Sequence, residues 1–173
     1  MVSKQIFIKV IKLFKNNKIN NISCDLIYGF HNQTNLDIKN DIDFLIINNV
    51  KHFSFYSLEI KENTLWYKQN YLTDEYKIEN HLKFINSYLN AKKFKRYEVS
   101  SICKESKYQS LHNILIWKAN DWTAIESGCY GFENNTLYHY CSSITNWQIK
   151  KEKLLKTDLY YLKMFMVCIW QKS

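Results

Sequence analysis

ISCDLIYGFHNQT, residues 22–34, is the stretch on which the fold turns. Its first part, 22–29, is a compact apolar run of strand length, and it follows a turn rich in asparagine: Asn16, Asn17, Asn20 and Asn21. Working outward, Ile6, Val10, Leu13 and Phe14 recur at helical spacing on the amino-terminal side. They predict an amphipathic helix over 4–16 with lysines on its outer side, facing a sheet or lying on a membrane surface. On the other side Leu36, Ile38, Ile42, Leu45, Ile46 and Ile47 keep helical rhythm between 35 and 49, and HFSFYSLEI at 52–60 reads as a second strand. A further helix is expected over 73–91, with Thr73 as its cap and Ile78, Leu82, Ile85, Tyr88 and Leu89 as its stripe; RYEVSSI at 96–102 then reads as a third strand.

Helices that separate short buried strands imply parallel pairing, so the expected class is α/β, layered or barrel-like. In such sheets the carboxyl ends of the strands collect functional residues, which directs attention to Asp25, Tyr28 and Gly29 and to Tyr56 and Ser57. Past residue 103 the pattern loosens. LHNILIWKANDW occupies 111–122, a hairpin is expected around Glu133 to Asn135, and helical stretches are expected near 144–154 and 158–170. A domain change is placed near residue 100, giving divisions 1–100 and 101–173.

Hydrophobic residues make up 46% of the 173, with 28 aromatic rings among them, which excludes a disordered chain. There is no proline and there are only 3 glycines, so asparagine must supply the turns. The net charge of +8 raises nucleic acid as a partner, but 23 of the 24 basic residues are lysine and only Arg96 can make the bidentate contacts of specific readout. A solvated lysine-rich surface, with no specific nucleic acid bound, is the expectation. Cys24, Cys103, Cys129, Cys141 and Cys168 lie far apart without a C-x-x-C pair, and no apolar run approaches the ~20 residues of a membrane span. Reduced thiols and a cytoplasmic location are expected.

Three residue groups could carry chemistry. Asp25 sits inside an apolar strand, where burial would oblige it either to bind a ligand's hydroxyl or amine or to make a structural hydrogen bond. His112, with Asn113 and Trp117 after it, is either a satisfied structural histidine or a metal or heme ligand beside an aromatic wall. Tyr97 and Glu98 leave the same alternatives open.

Four stretches in fixed order resemble one family. ISCDLIYGFHNQT at 22–34 is similar to a strand and loop of the form D-L-I-Y-G-L-P-x-Q-T, and HFSFYSLEIKENTLWYK at 52–68 to Y-S-L-x-I-E-x-x-T. RYEVSSICK at 96–104 resembles Y-E-I-S-N-F-A-K, and HNILIW at 112–117 resembles H-N-x-x-Y-W. The family is the oxygen-independent coproporphyrinogen III oxidase-like family of radical S-adenosylmethionine proteins, which includes the heme chaperone HemW. The resemblance implies the C-terminal part of a partial (β/α) radical SAM barrel, followed by an α+β segment of the family's C-terminal region. It implies S-adenosylmethionine and a 4Fe-4S cluster as cofactors, Asp25 and Ser57 at positions that contact S-adenosylmethionine, and His112 at the histidine associated with heme.

The chain also departs from the pattern. The family's C-x-x-x-C-x-x-C cluster loop, which lies ahead of the matched stretches, has no counterpart among the five cysteines. His31 stands where the motif has proline, Ile116 where it has tyrosine, and AIESGCYG at 124–131 replaces a glycine-rich G-x-G-P-G-A-H-S stretch. The expectation is a fragment of the family, truncated at both ends and without a competent 4Fe-4S centre of its own, so that no catalytic residue is assigned. An incomplete barrel would also expose a strand edge for a complementary polypeptide to cover.

Overall fold

The computed structural model describes residues 4–118, 120–125, 127–140 and 149–153. The chain forms two compact units, Met1–Gln109 and Ser110–Ser173. In the first, α1 (Lys4–Asn16), β1 (Ser23–Tyr28), α2 (Asn35–Ile47), β2 (His52–Ser57), a short α3 (Leu65–Lys68) and α4 (Glu75–Ala91) follow one another, and β3 (Lys95–Arg96) and β4 (Ser101–Cys103) close the series. The sheet order is β1-β2-β4-β3. β1 and β2 are parallel, with Ser23 opposite His52 and Tyr28 opposite Ser57. The alternation read from the sequence therefore produces the expected α/β unit.

Local chemistry sets each boundary. The Thr34 hydroxyl accepts the Asp37 N–H at 3.2 Å while the Asp37 carboxylate accepts the Thr34 N–H at 2.8 Å, a reciprocal capping box that starts α2. α4 starts later than the sequence suggested: its cap is Asp74, not Thr73, because the Asp74 carboxylate accepts the Lys77 N–H at 3.1 Å. Asparagine does replace glycine in the turns. Five of the seven non-glycine residues with positive φ among those described are Asn49, Asn63, Asn70, Asn134 and Asn135. Gly29 is needed at the end of β1, since its φ is +96° and an added Cβ would lie 2.7 Å from Ile78 Cγ1 on α4.

The core sits between the helices and one face of the sheet. Ile11, Ile38, Ile42, Leu45, Ile85 and Leu89 pack with Phe53, Phe55 and Ile102. Each such side chain, fully buried, contributes about 1.5–3 kcal/mol.

The third expected strand differs from its prediction. Residues 96–102 are not one parallel strand. β3 ends at Arg96, the chain turns through Tyr97–Ser100, and β4 returns antiparallel to β3 and to β2, inserted between them. The Arg96 guanidinium donates to the Val99 carbonyl inside that turn, tying the reversal together.

In the second unit α5 (Leu111–Trp117) begins at Ser110, whose hydroxyl accepts the Asn113 N–H at 3.3 Å. β5 (Tyr130–Glu133), β6 (Thr136–Tyr140) and β7 (Ile149–Lys153) then form an antiparallel sheet. The hairpin expected around Glu133 to Asn135 is present, with φ of 51° and 61° at Asn134 and Asn135, the geometry of a two-residue loop. The Tyr138 ring lies where a Cβ on Gly131 would sit, so that this glycine is the socket for a cross-strand aromatic. Of the helix expected over 144–154, residues 149–153 instead pair with β6 as a strand, where edge pairing overrides helical spacing, and the rest lies outside the described residues. The helix expected over 158–170 lies outside the described residues. Among the described residues no helix is long and apolar enough to cross a membrane.

Candidate functional site: a polar sheet face and the cleft at its strand ends

Side chains alternate across a strand, and here the alternation separates two chemistries. Cys24, Leu26, Tyr28, Phe53 and Phe55 join the helix-covered core. Ser23, Asp25 and Ile27 of β1 and His52, Ser54 and Tyr56 of β2 fall on the opposite face, where Ser101 and Cys103 of β4 pair with Ser54 and His52. A hydrogen-bond chain crosses that face. Ser23 Oγ lies 2.6 Å from His52 Nδ1, and His52 Nε2 lies 2.6 Å from the Tyr97 hydroxyl. Burial holds the His52 imidazole below its ordinary pKa, against the pull of Glu98 and Asp25, so the ring is neutral with one nitrogen donating and the other accepting.

Glu98 is 1% exposed and Ser101 is 0% exposed. One Glu98 oxygen accepts the Ser100 N–H at 3.1 Å, while the other and the Ser101 hydroxyl have no hydrogen-bond partner among the described residues. Leaving such groups unsatisfied costs about 1–3 kcal/mol each.

At the carboxyl ends of β1 and β2 a cleft of about 540 Å³ opens, lined by Ile27, Tyr56, Ser57, Leu58, Glu59 and Val99 among others. Backbone pairing continues past the strands, the Leu58 N–H donating to the Tyr28 carbonyl at 2.8 Å. Arg96 is anchored nearby through Asn86, with its two guanidinium contacts at 2.8 and 3.1 Å.

The residues singled out from the sequence are distributed unevenly over this site. Asp25 is exposed, not buried: β1 is an edge strand and its Ser23–Asp25–Ile27 face is open, so the carboxylate needs no structural partner. Ser57 lies at the cleft, three residues further along the register than Ser54, the partner of Asp25. By alternation Asp25 and Ser57 belong to opposite faces of the sheet. His112 is in the second unit, exposed in the first turn of α5. Trp117 is five positions on, about 140° around the helix, so the expected aromatic wall is not on the same side of α5 as His112. The Trp117 indole N–H is buried and has no hydrogen-bond partner among the described residues.

His52 was missed in the sequence, where it looked like the start of an ordinary β run. The signal was the alternation of His52, Ser54 and Tyr56 with Phe53 and Phe55. Tyr97 and Glu98 resolve as members of the buried polar face.

Cluster-ligand chemistry is poorly served. Among the described residues no three of His, Cys, Asp or Glu converge on a metal position. Burial, then Asp25, pushes the Cys24 thiol up to about 11, and burial raises Cys103 as well. Both are therefore thiols at neutral pH in the metal-free chain. Cys141 and Cys168 lie outside the described residues.

No family model matches the chain. It is similar to the heme chaperone HemW of Buchnera aphidicola subsp. Schizaphis graminum, at 33% identity over 116 residues, 66% of this chain and 31% of that one. It is 26% identical over 159 residues to the heme chaperone HemW of Lactococcus lactis, covering 84% of this chain and 42% of that protein. The chain thus spans less than half the length of the relatives it matches, 31% and 42% in these two cases. In structure it is similar to the radical SAM coproporphyrinogen III oxidase HemN of Escherichia coli, with a TM-score of 0.77 at 9% identity over 98% of this chain and 45% of that one. The motif order, the parallel β1–β2 pair with its strand-end cleft, and these likenesses agree: the chain is similar in sequence to HemW heme chaperones over less than half of their length and shares its fold with part of HemN.

Proposed function

We propose that the chain is a heme-handling, HemW-like segment that binds S-adenosylmethionine at its strand-end cleft and does not itself hold a 4Fe-4S cluster. The cleft is the observation that carries this reading. Its volume of about 540 Å³ suits a nucleoside-sized ligand, Ile27, Leu58 and Val99 offer an apolar wall, and Tyr56, Ser57 and Glu59 offer polar contacts. Ser57 is the sequence-derived contact that lines it. Asp25 would serve from the open sheet face, and His112 would serve as heme ligand from α5, where it is exposed. Bound to a cluster, S-adenosylmethionine supplies radical chemistry; this chain's residues would bind and orient it, and no three of the described His, Cys, Asp or Glu converge to hold the cluster.

Calorimetric titration of S-adenosylmethionine against the chain and Ser57→Ala tests the cleft. Weaker binding by the variant is expected, and equal binding removes Ser57. Anaerobic iron–sulfur reconstitution that yields a stoichiometric 4Fe-4S spectrum overturns the cluster-free part. For heme, hemin titration of the chain against His112→Ala should differ in the Soret band, and identical curves remove His112.

One observation favours a second reading, a module completed by another polypeptide. Among the described residues β1 pairs only with β2, so the six-residue edge of β1 offers unpaired backbone groups to an added strand. Co-expression with a polypeptide that carries the cysteine loop should then yield a stable complex; separate elution of the two rejects it.

A further inference from the structure

Helix α1 carries more apolar surface than the fold covers. Ile11 is its one buried residue, and Phe7 is partly buried, with its ring 5.4 Å from that of Phe44 on α2. These contacts, together with the bond from the Lys15 ammonium to the Asn48 carbonyl at 3.2 Å, fix which side of the helix faces the protein. Ile6, Val10 and Leu13 are left 54%, 39% and 60% exposed. Steps of four and three residues set them in one row along the helix. Ile19, just beyond the helix, is exposed as well.

A row of polar residues borders this apolar one. Lys9 comes three residues after Ile6 and four before Leu13, Lys12 follows one turn on, and Gln5 and Asn16 extend the row at either end. Lys18 is exposed in the turn after the helix. Lys4 and Lys15 are turned toward α2, where the Lys4 ammonium lies 5.3 Å from the centroid of the Phe44 ring. Residues 4–24 contain these lysines, 4, 9, 12, 15 and 18, and no aspartate or glutamate.

Charge decides what can cover such a row. A second copy of the chain would set lysine against lysine, and a docked helix is ordinarily registered by charges of both signs beside its apolar seam. Ammonium groups of one sign beside exposed isoleucine, valine and leucine match a continuous anionic surface with an apolar interior. Lysine stems can lie along the apolar layer there while their heads stay at the charged boundary.

We propose that α1 is an in-plane anchor for an anionic lipid surface, with Ile6, Val10 and Leu13 entering the acyl boundary and Lys9, Lys12 and Lys18 meeting the phosphate headgroups. The anchor lies in the helix layer and is independent of the strand-end cleft and of His112. Its attachment is reversible, since a few aliphatic side chains and ammonium groups hold far less firmly than a membrane-spanning helix.

The test is co-sedimentation of the full chain with vesicles of phosphatidylcholine alone and of an equal mixture of phosphatidylcholine and phosphatidylglycerol, at about 0.1 M and about 1 M salt. The chain should partition onto the mixed vesicles at the lower salt, more weakly at the higher salt, and least onto phosphatidylcholine. Leu13→Ser and Ile6→Ser should each weaken partitioning about tenfold, through loss of one inserted aliphatic side chain. Lys9→Gln should weaken it about fivefold, the worth of one ammonium group near an anionic surface. Lys68→Gln on α3 should stay within about twofold of wild type. These positions are exposed, and far-UV circular dichroism identical to wild type verifies folding; Val10→Thr replaces an apolar-row variant that fails it. If Leu13→Ser and Ile6→Ser partition like wild type, the attraction comes from the net charge of +8 alone and the anchor is wrong. Absence of wild-type partitioning onto the mixed vesicles overturns it too. If light scattering without lipid shows a multimer that Leu13→Ser converts to monomer, the row is a protein–protein contact and the lipid assignment falls.

Discussion

The two faces of the first sheet are made by the same strands and do opposite work. Toward the helices, Cys24, Leu26, Phe53, Phe55 and Ile102 interlock in an apolar core. Away from them, buried His52, Glu98 and Ser101 join half-buried Tyr97 and exposed Ser23 in a polar surface that is incompletely satisfied among the described residues. Burial is as deep on the second face, with Ser101 at 0% and Glu98 at 1% exposure, so depth alone does not distinguish core from site. The difference is in what the groups demand: methyl and ring carbons are content with one another, whereas an unpaired oxygen is not.

Mutations can break this contrast. The largest effect should come from Phe53→Ala, because the ring is fully buried against Phe55 and Phe94; a loss of about 3–5 kcal/mol in urea unfolding is expected. Tyr97→Phe removes the hydroxyl that partners His52 Nε2 and should cost about 1–3 kcal/mol. If its cost equals that of Phe53→Ala, the polar face is primarily a structural element. Acidification sharpens the same point. Burial holds His52 and His81 below their ordinary value of 6.5, so the unfolded chain takes up protons first as pH falls. Stability should be full above that value and decline as pH drops below it toward the folded-state pKa values, and His52→Gln should flatten the decline in urea midpoints measured from pH 7.5 to 5. The smallest effect belongs to Ser101→Ala. Its hydroxyl has no partner, so a change within about 0.5 kcal/mol is expected; a large loss of stability would mean that the hydroxyl is satisfied after all.

Much of the first unit was legible because its elements repeat at the right period. The helical stripes over 4–16 and 35–47 and the apolar runs of β1 and β2 follow from local spacing. The Asn134–Asn135 hairpin followed from local turn chemistry. The reversal at Tyr97–Ser100 was not legible, since RYEVSSI has strand composition throughout and only the pairing of β4 with β2 shows where the chain turns back. Strand β7 was hidden for a related reason: its residues acquire their conformation from β6. Asp25 was misread as buried because an apolar neighbourhood in sequence does not reveal that β1 stands at a sheet edge.

For the site, the motifs located the strand ends at Tyr28 and Ser57, and the departures marked His31. They gave no indication that His52 would connect Ser23 to Tyr97 across two strands and a turn, or that Lys77 would reach the His31 carbonyl from a helix 46 residues away in sequence. By itself the sequence determined the resemblance, through its motifs, and the α/β alternation and the positions of the turns, since periodicity, capping and turn geometry act over a few residues. Only the tertiary structure decided which face of each strand is buried, which polar groups go unpaired, and which loops share a pocket. Those properties depend on contacts between segments far apart in the chain, and no local pattern encodes their distances.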